Sequence, residues 1–200
     1  MRAAVLASGR GSNLQALLEA CKRADLPLEI VCVGTDKTDA GALLRAEAAG
    51  VPSRVFCVED YASRQAQEEA LLLWLREYRT ELLLLAGYMK VLGPLFIREA
   101  GFPILNIHPS LLPAFPGLHA QRQALAYGVK VSGCTVHFVD DQLDGGPIIL
   151  QEAVPVLPGD TEDDLAERIL EAEHRIYPEA VRLLVSGKIK RTGRRVEYTG

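Results

Sequence analysis

The chain has 200 residues, 48% hydrophobic and 24% charged, which is ordinary globular composition and enough for one sizeable core or two small ones. A formal net charge of -4 argues against nucleic acid or an anionic membrane as the main partner and leaves small anionic ligands open. The four cysteines (Cys21, Cys32, Cys57, Cys134) form no CxxC pair, no secretory signal opens the chain, and the apolar run at 81–87 is too short to cross a bilayer; a reduced, cytoplasmic protein is expected.

Strand and helix patterns alternate from the start. Residues 2–8 read as strand, 12–24 as helix, 28–35 as strand, 41–50 as helix, 54–58 as a short strand, 63–78 as helix and 81–86 as strand. Short, almost wholly apolar strands in such alternation predict βαβ units and an α/β, Rossmann-like fold, with a mainly parallel sheet covered by helices on both faces. After Tyr88 the rhythm changes. Residues 104–107 read as strand, followed by a loop with Pro109, Pro113 and Pro116 and a short helix around 120–127. Residues 133–139 and 147–156 alternate in polarity about the loop DDQLDGG (140–146) and predict an antiparallel pair in the C-terminal half. Asp160 and Thr161 open a long amphipathic helix ending near Gly187, with Asp163 and Asp164 placed for capping and for the helix dipole. The tail KIKRTGRRVEYTG (188–200) is basic and weakly strand-like. Neither a repeat nor a linker divides the chain, so a single domain over 1–200 is expected.

Two motifs carry chemistry. Between the first strand and helix stands SGRGSN (8–13), a flexible turn whose amide N–H groups could cradle a phosphate, with Ser12 or Asn13 adding a side-chain donor. A dinucleotide fingerprint would need glycine at position 14, where the chain has Leu14, and no Walker lysine follows. A tight turn capped by Ser12 also fits, and from these residues alone mononucleotide, dinucleotide and plain turn all stay open. The second motif is ILNIHPSLLPAFP (104–116), where Asn106 and His108 interrupt a buried strand. Two residues apart, they share a face. Pro109 ends the ladder, so the pair sits at a strand exit, where open α/β sheets place ligands, although satisfied core polar groups are the plainer alternative. A carboxylate of the 140–146 loop could face His108.

Read together, SGRGSNLQALL (8–18), AGYMKVL (86–92), LNIHPSLLPAFPGLHA (105–120), TVHFVDDQLDGGPIILQ (135–151) and EHRIYPEAV (173–181) resemble the formyltetrahydrofolate-dependent formyltransferase family, in its glycinamide ribonucleotide branch. The segments with Asn106, His108 and Asp144 resemble the wider family; the SGRGSN turn and compact length are what point to the branch. The resemblance implies transfer of a formyl group from 10-formyltetrahydrofolate, as cosubstrate, to the amine of glycinamide ribonucleotide, a step of purine biosynthesis. It implies that Gly11, Ser12 and Asn13 hold the phosphate and that Glu173 helps bind the ribose. It further implies that Met89, Lys90, Val91, Leu92, Asn106, Asp140, Asp141, Gln142, Leu143 and Asp144 line the folate pocket, chiefly through backbone groups, and that Arg64 meets the glutamate tail. The phosphate-binding half would be 1–100, the catalytic and folate-binding half 101–200. Lys90, Asp140 and Gln121 stand where arginine, threonine and histidine occur in the family.

Formyl transfer passes through a tetrahedral intermediate with a negative oxygen, and the leaving nitrogen must receive a proton. Asn106 can donate a neutral hydrogen bond to that oxygen and His108 a charged one. An unperturbed imidazole titrates near pH ~6.5, so a carboxylate is needed to hold it protonated, and Asp144 is the candidate. The spacings of His108, His119 and His137 match no common zinc pattern, the cysteines add nothing, and no metal is expected; His137 reads as structural or supporting. Glu173-His174 lacks the HExxH arrangement. A hydrolase of the family would be expected to carry an extra N-terminal domain and the initiator-tRNA enzyme an extra C-terminal one, and 200 residues leave room for neither. A silent nucleotide-binding module would leave Asn106, His108 and Asp144 unexplained. A monomer or homodimer is expected, with 140–146 as a mobile loop.

Overall fold

The computed structural model describes residues 1–199. Its chain forms two compact units, Met1–Asn106 and a second from Ile107 onward. The fold is Rossmann-like α/β, mainly parallel, with an antiparallel pair and a separate two-stranded hairpin in the C-terminal half.

The first unit is built on parallel strands in the order β3-β2-β1-β4-β5: β1 (Arg2–Leu6), β2 (Glu29–Thr35), β3 (Ser53–Val55), β4 (Leu82–Leu85) and the start of β5 (Ile104–His108). These strands read as apolar runs because both faces are covered; all four leucines of β4 are buried. Helix α1 (Ser12–Lys22) buries Leu14, Leu17 and Leu18 on one stripe, and α2 (Gly41–Ala48) buries Ala42 and Ala46. Helix α3 (Arg64–Glu77) begins where the Ser63 side chain accepts the Ala66 N–H, and buries Leu71, Leu72, Trp74 and Leu75. A short helix α4 (Pro94–Glu99), absent from the sequence reading, follows with proline in its first turn. Residues expected as strand at 54–58 divide instead, with the strand ending at Val55 and a 3-10 turn taking Val58–Asp60. Strand order reverses about β1, flanked by β2 and β4, and the loops after β1 and β4 meet: Ser8 N–H donates to the Gly87 carbonyl (3.1 Å) and Met89 N–H to Ser8 Oγ (2.8 Å). Ligands of open α/β sheets bind at such a reversal.

In the second unit α5 (Ala120–Tyr127) precedes β6 (Val131–Phe138), which pairs antiparallel with β7 (Ile148–Pro155). β6 starts two residues earlier than the sequence suggested. Helix α6 (Glu162–Val185) packs on both strands. Its Thr161–Asp164 capping box makes the sequence-expected start concrete. The tail folds into a hairpin, β8 (Ile189–Thr192) with β9 (Arg195–Tyr198).

Candidate active site

The glycine turn after β1 is fixed by crowding rather than by a cap. Gly11 is the N-cap of α1 at φ 72°, and a Cβ there would come within 2.8 Å of the Ala42 Cα, so glycine is required on both counts. Ser12 is the first helical residue and does not cap, which corrects that reading. The first intrahelical bond runs from Gln15 N–H to the Gly11 carbonyl (2.9 Å), which sets the helix start at the glycine turn. Arg45 donates to the Arg10 carbonyl (2.8 Å) and Ala42 N–H to that of Gly9 (3.2 Å), clamping the turn to α2. Asn13 is buried beside it.

On the other side of the reversal Met89, Lys90 and Val91 are exposed while Leu92 is buried. Arg64, exposed at the start of α3, is engaged by Glu68 (3.1 Å) and by the Val91 carbonyl. The guanidinium retains donors beyond those two contacts.

Strand β5 carries Asn106 and His108 on one face, Asn106 half-buried and His108 only 5% exposed. The Asp144 carboxylate reaches His108 within the second unit. Its Oδ2 lies 3.4 Å from His108 Nδ1 and accepts the Gly117 N–H at 2.7 Å, while its Oδ1 is 3.8 Å from His137 Nε2. Asp144 holds φ 49°, a left-handed conformation that aspartate tolerates better than most residues. His108 Nε2 sits 2.9 Å from the Phe115 carbonyl. A carbonyl only accepts, so that nitrogen carries a hydrogen, and a second proton on Nδ1 would make the 3.4 Å contact with the carboxylate an ion pair. Both nitrogens are thus engaged, and the longer contact, with Asp144, is the looser one. Burial pushes the His137 imidazole below its ordinary value, opposed by the Phe138 carbonyl and the Asp144 carboxylate. Its Nδ1 donates to that carbonyl (2.9 Å).

Several supporting residues carry no signal local enough for sequence reading. Thr135 Oγ1, fully buried, donates to the Ser110 carbonyl (2.7 Å) and accepts the Leu112 N–H (3.1 Å) and Gln151 Nε2 (2.9 Å). Gln151 also donates to the Leu112 carbonyl (2.9 Å), so the loop that offers the Phe115 carbonyl to His108 is pinned from behind by β6 and β7. Asp141, Gln142 and Leu143 are exposed at the tip of the other loop; Asp140 is half-buried and accepts the Gln142 N–H (3.0 Å). Glu173 is buried on α6. Burial pushes the Cys32 and Cys134 thiols up to about 12, which leaves them as small apolar side chains. Among the described residues no group of three or more His, Cys, Asp or Glu is arranged to hold a metal ion, and no helix is long and apolar enough to cross a membrane.

A Rossmann-like sheet with a buried imidazole–carboxylate pair at a strand exit defines the class, and residues 1–181 match the formyl transferase family: the chain belongs to it. It is similar to phosphoribosylglycinamide formyltransferase of Escherichia coli, 44% identical over 190 residues that cover 95% of this chain and 90% of that protein. Its fold matches the crystal structure of glycinamide ribonucleotide transformylase 1 from Symbiobacterium toebii with a TM-score of 0.95 at 54% identity, covering 100% of this chain and 94% of that one. The trifunctional purine biosynthetic protein adenosine-3 of Drosophila pseudoobscura pseudoobscura is 49% identical over 192 residues, which cover 95% of this chain and 14% of that protein.

Proposed function

We propose that this protein transfers the formyl group of 10-formyltetrahydrofolate to the amine of glycinamide ribonucleotide, giving formylglycinamide ribonucleotide and tetrahydrofolate, in the cytoplasm. The observation that carries the reading is the buried His108–Asp144 pair at 3.4 Å, with Gly117 fixing the carboxylate, on the strand that also carries Asn106. Acyl transfer between two nitrogens needs a stabilised oxyanion and a proton for the departing amine, and those groups supply both.

In this mechanism the unprotonated substrate amine attacks the formyl carbon, and the carbonyl electrons move onto oxygen. The Asn106 carboxamide donates to that oxygen, and the His108 imidazolium, kept charged by Asp144, places positive charge beside it. Collapse expels the folate nitrogen, which takes a proton from the His108 imidazolium, and the proton lost by the attacking amine restores the imidazolium. Gly11, Ser12 and Asn13 receive the phosphate at the N-terminus of α1, where the helix dipole favours an anion, and Glu173 contacts the ribose. Met89, Lys90, Val91 and Leu92 with Asp140, Asp141, Gln142, Leu143 and Asp144 take the folate, and Arg64 its glutamate tail.

The test follows folate absorbance with 10-formyltetrahydrofolate, with and without glycinamide ribonucleotide. Turnover that depends on the amine is the expected result. Loss of formyl folate without the amine would make the protein a hydrolase, and no turnover at all would leave a binding module.

A further inference from the structure

The C-terminal hairpin has no part in the chemistry derived so far, yet it touches the loop that carries Asp144. Residues 188–199 hold Lys188, Lys190, Arg191, Arg194 and Arg195 against one acid, Glu197. Arg194 donates to the Gly145 carbonyl, and the Arg191 guanidinium lies over the Phe138 ring, 5.8 Å from its centroid, within cation–π range. Phe138 ends β6 just before the loop, and Gly145 directly follows Asp144, so the two arginines grip the loop at both ends.

An open pocket of about 330 Å³ lies beside these contacts, lined by Gly146, Ile148, Arg194, Arg195, Val196 and Glu197. Two guanidinium contacts thus join the hairpin to the loop. The loop itself has little slack: Gly145 N–H donates to the Gln142 carbonyl (3.1 Å), and a Cβ on Gly146 would fall 1.8 Å from the Phe138 carbonyl. A shift of the Gly145 carbonyl is passed to the neighbouring Asp144 backbone, already at φ 49°, and so to the carboxylate facing His108.

We propose that Arg194 is a positioning residue: by holding the Gly145 carbonyl it keeps the 140–146 loop in the conformation that presents Asp144 to His108, with Arg191 on Phe138 steadying the other end. The kinetic part of this inference rests on the formyl-transfer reading; the structural part does not. Three variants test it, Arg194→Ala, Arg194→Lys and Arg191→Ala, each measured by amide hydrogen exchange without substrate and by steady-state kinetics.

Loss of one charge-assisted hydrogen bond should speed exchange in the peptide covering 139–147 by ~5-fold or more in Arg194→Ala, with α6 peptides unchanged. Arg191→Ala should show the same change to a smaller extent. The kcat should fall by a similar ~5-fold factor with a smaller rise in the KM for formyl folate, and lysine at 194 should recover part of both, since it keeps a charged donor. Loop exchange in Arg194→Ala equal to wild type overturns the proposal, as does a rise that spreads equally into α6. Wild-type protein without amine-dependent turnover would refute the reaction assignment alone, because the exchange comparison still decides what Arg194 does.

Discussion

Replacing Asp144 by asparagine isolates charge from shape. The amide oxygen can still accept the Gly117 N–H, now made at 2.7 Å, so the loop keeps its anchor while the imidazole loses its counter-charge. At the 3.4 Å between Oδ2 and Nδ1, Coulomb attraction is about 5 kcal/mol with an effective dielectric of ~20 and about 1 kcal/mol in water. The side chains are only 6% and 10% exposed, which favours the larger figure, but desolvation of both groups offsets part of it. A net effect of about 2–3 kcal/mol on the charged transition state corresponds to a fall in kcat of roughly 30- to 150-fold. Steady-state turnover at saturating substrates, with the melting temperature as a control on folding, measures it. A folded Asp144→Asn protein within twofold of wild type would refute the argument that this carboxylate supports a charged His108.

Asn106→Ala removes a neutral oxyanion donor and should lower kcat by ~100-fold or more without unfolding the protein; near-normal single-turnover rates would remove Asn106 from the mechanism. Thr135→Val leaves the Leu112 N–H, the Ser110 carbonyl and one Gln151 contact without their shared hydroxyl, and should cost about 2 kcal/mol or more in urea unfolding; a loss under about 0.5 kcal/mol contradicts the pinning role. His137, held below its ordinary value chiefly by burial, makes the folded state bind fewer protons than the unfolded chain below about pH 6.5. The stability it contributes is therefore present above that pH and is lost as pH falls through the lowered folded value. His137→Gln should flatten the decline of the urea midpoint as pH falls below about pH 6.5, and parallel declines would exclude His137 as the source.

Long-period patterns were readable in the sequence because they report burial. The four-leucine core of β4, the Leu14–Leu17–Leu18 stripe of α1 and the Thr161–Asp164 capping box each state their own structure within a few residues. Helix α4 escaped because six residues are too few to show a period, and its one signal, Pro94, also fits a turn. The glycine turn was legible as a turn but not in its cause: the reason for Gly11 is Ala42, which lies across the fold rather than nearby in sequence. The same distinction separates the residues of the site. Strand periodicity puts Asn106 and His108 on one face, whereas the partnership with Asp144 rested on family resemblance. Gly117, Phe115, Thr135 and Gln151 support that partnership through contacts whose sequence separation hides them.

The sealed sulfurs of Cys32 and Cys134 have a practical side. Both side chains are fully buried and burial pushes their thiols up to about 12, so maleimide or iodoacetamide reagents will pass these two positions by. Only Cys21 and Cys57, both half-buried, compete for such reagents, and serine at each gives a silent background. A fluorophore installed at exposed position 143 would then label the aspartate-bearing segment alone.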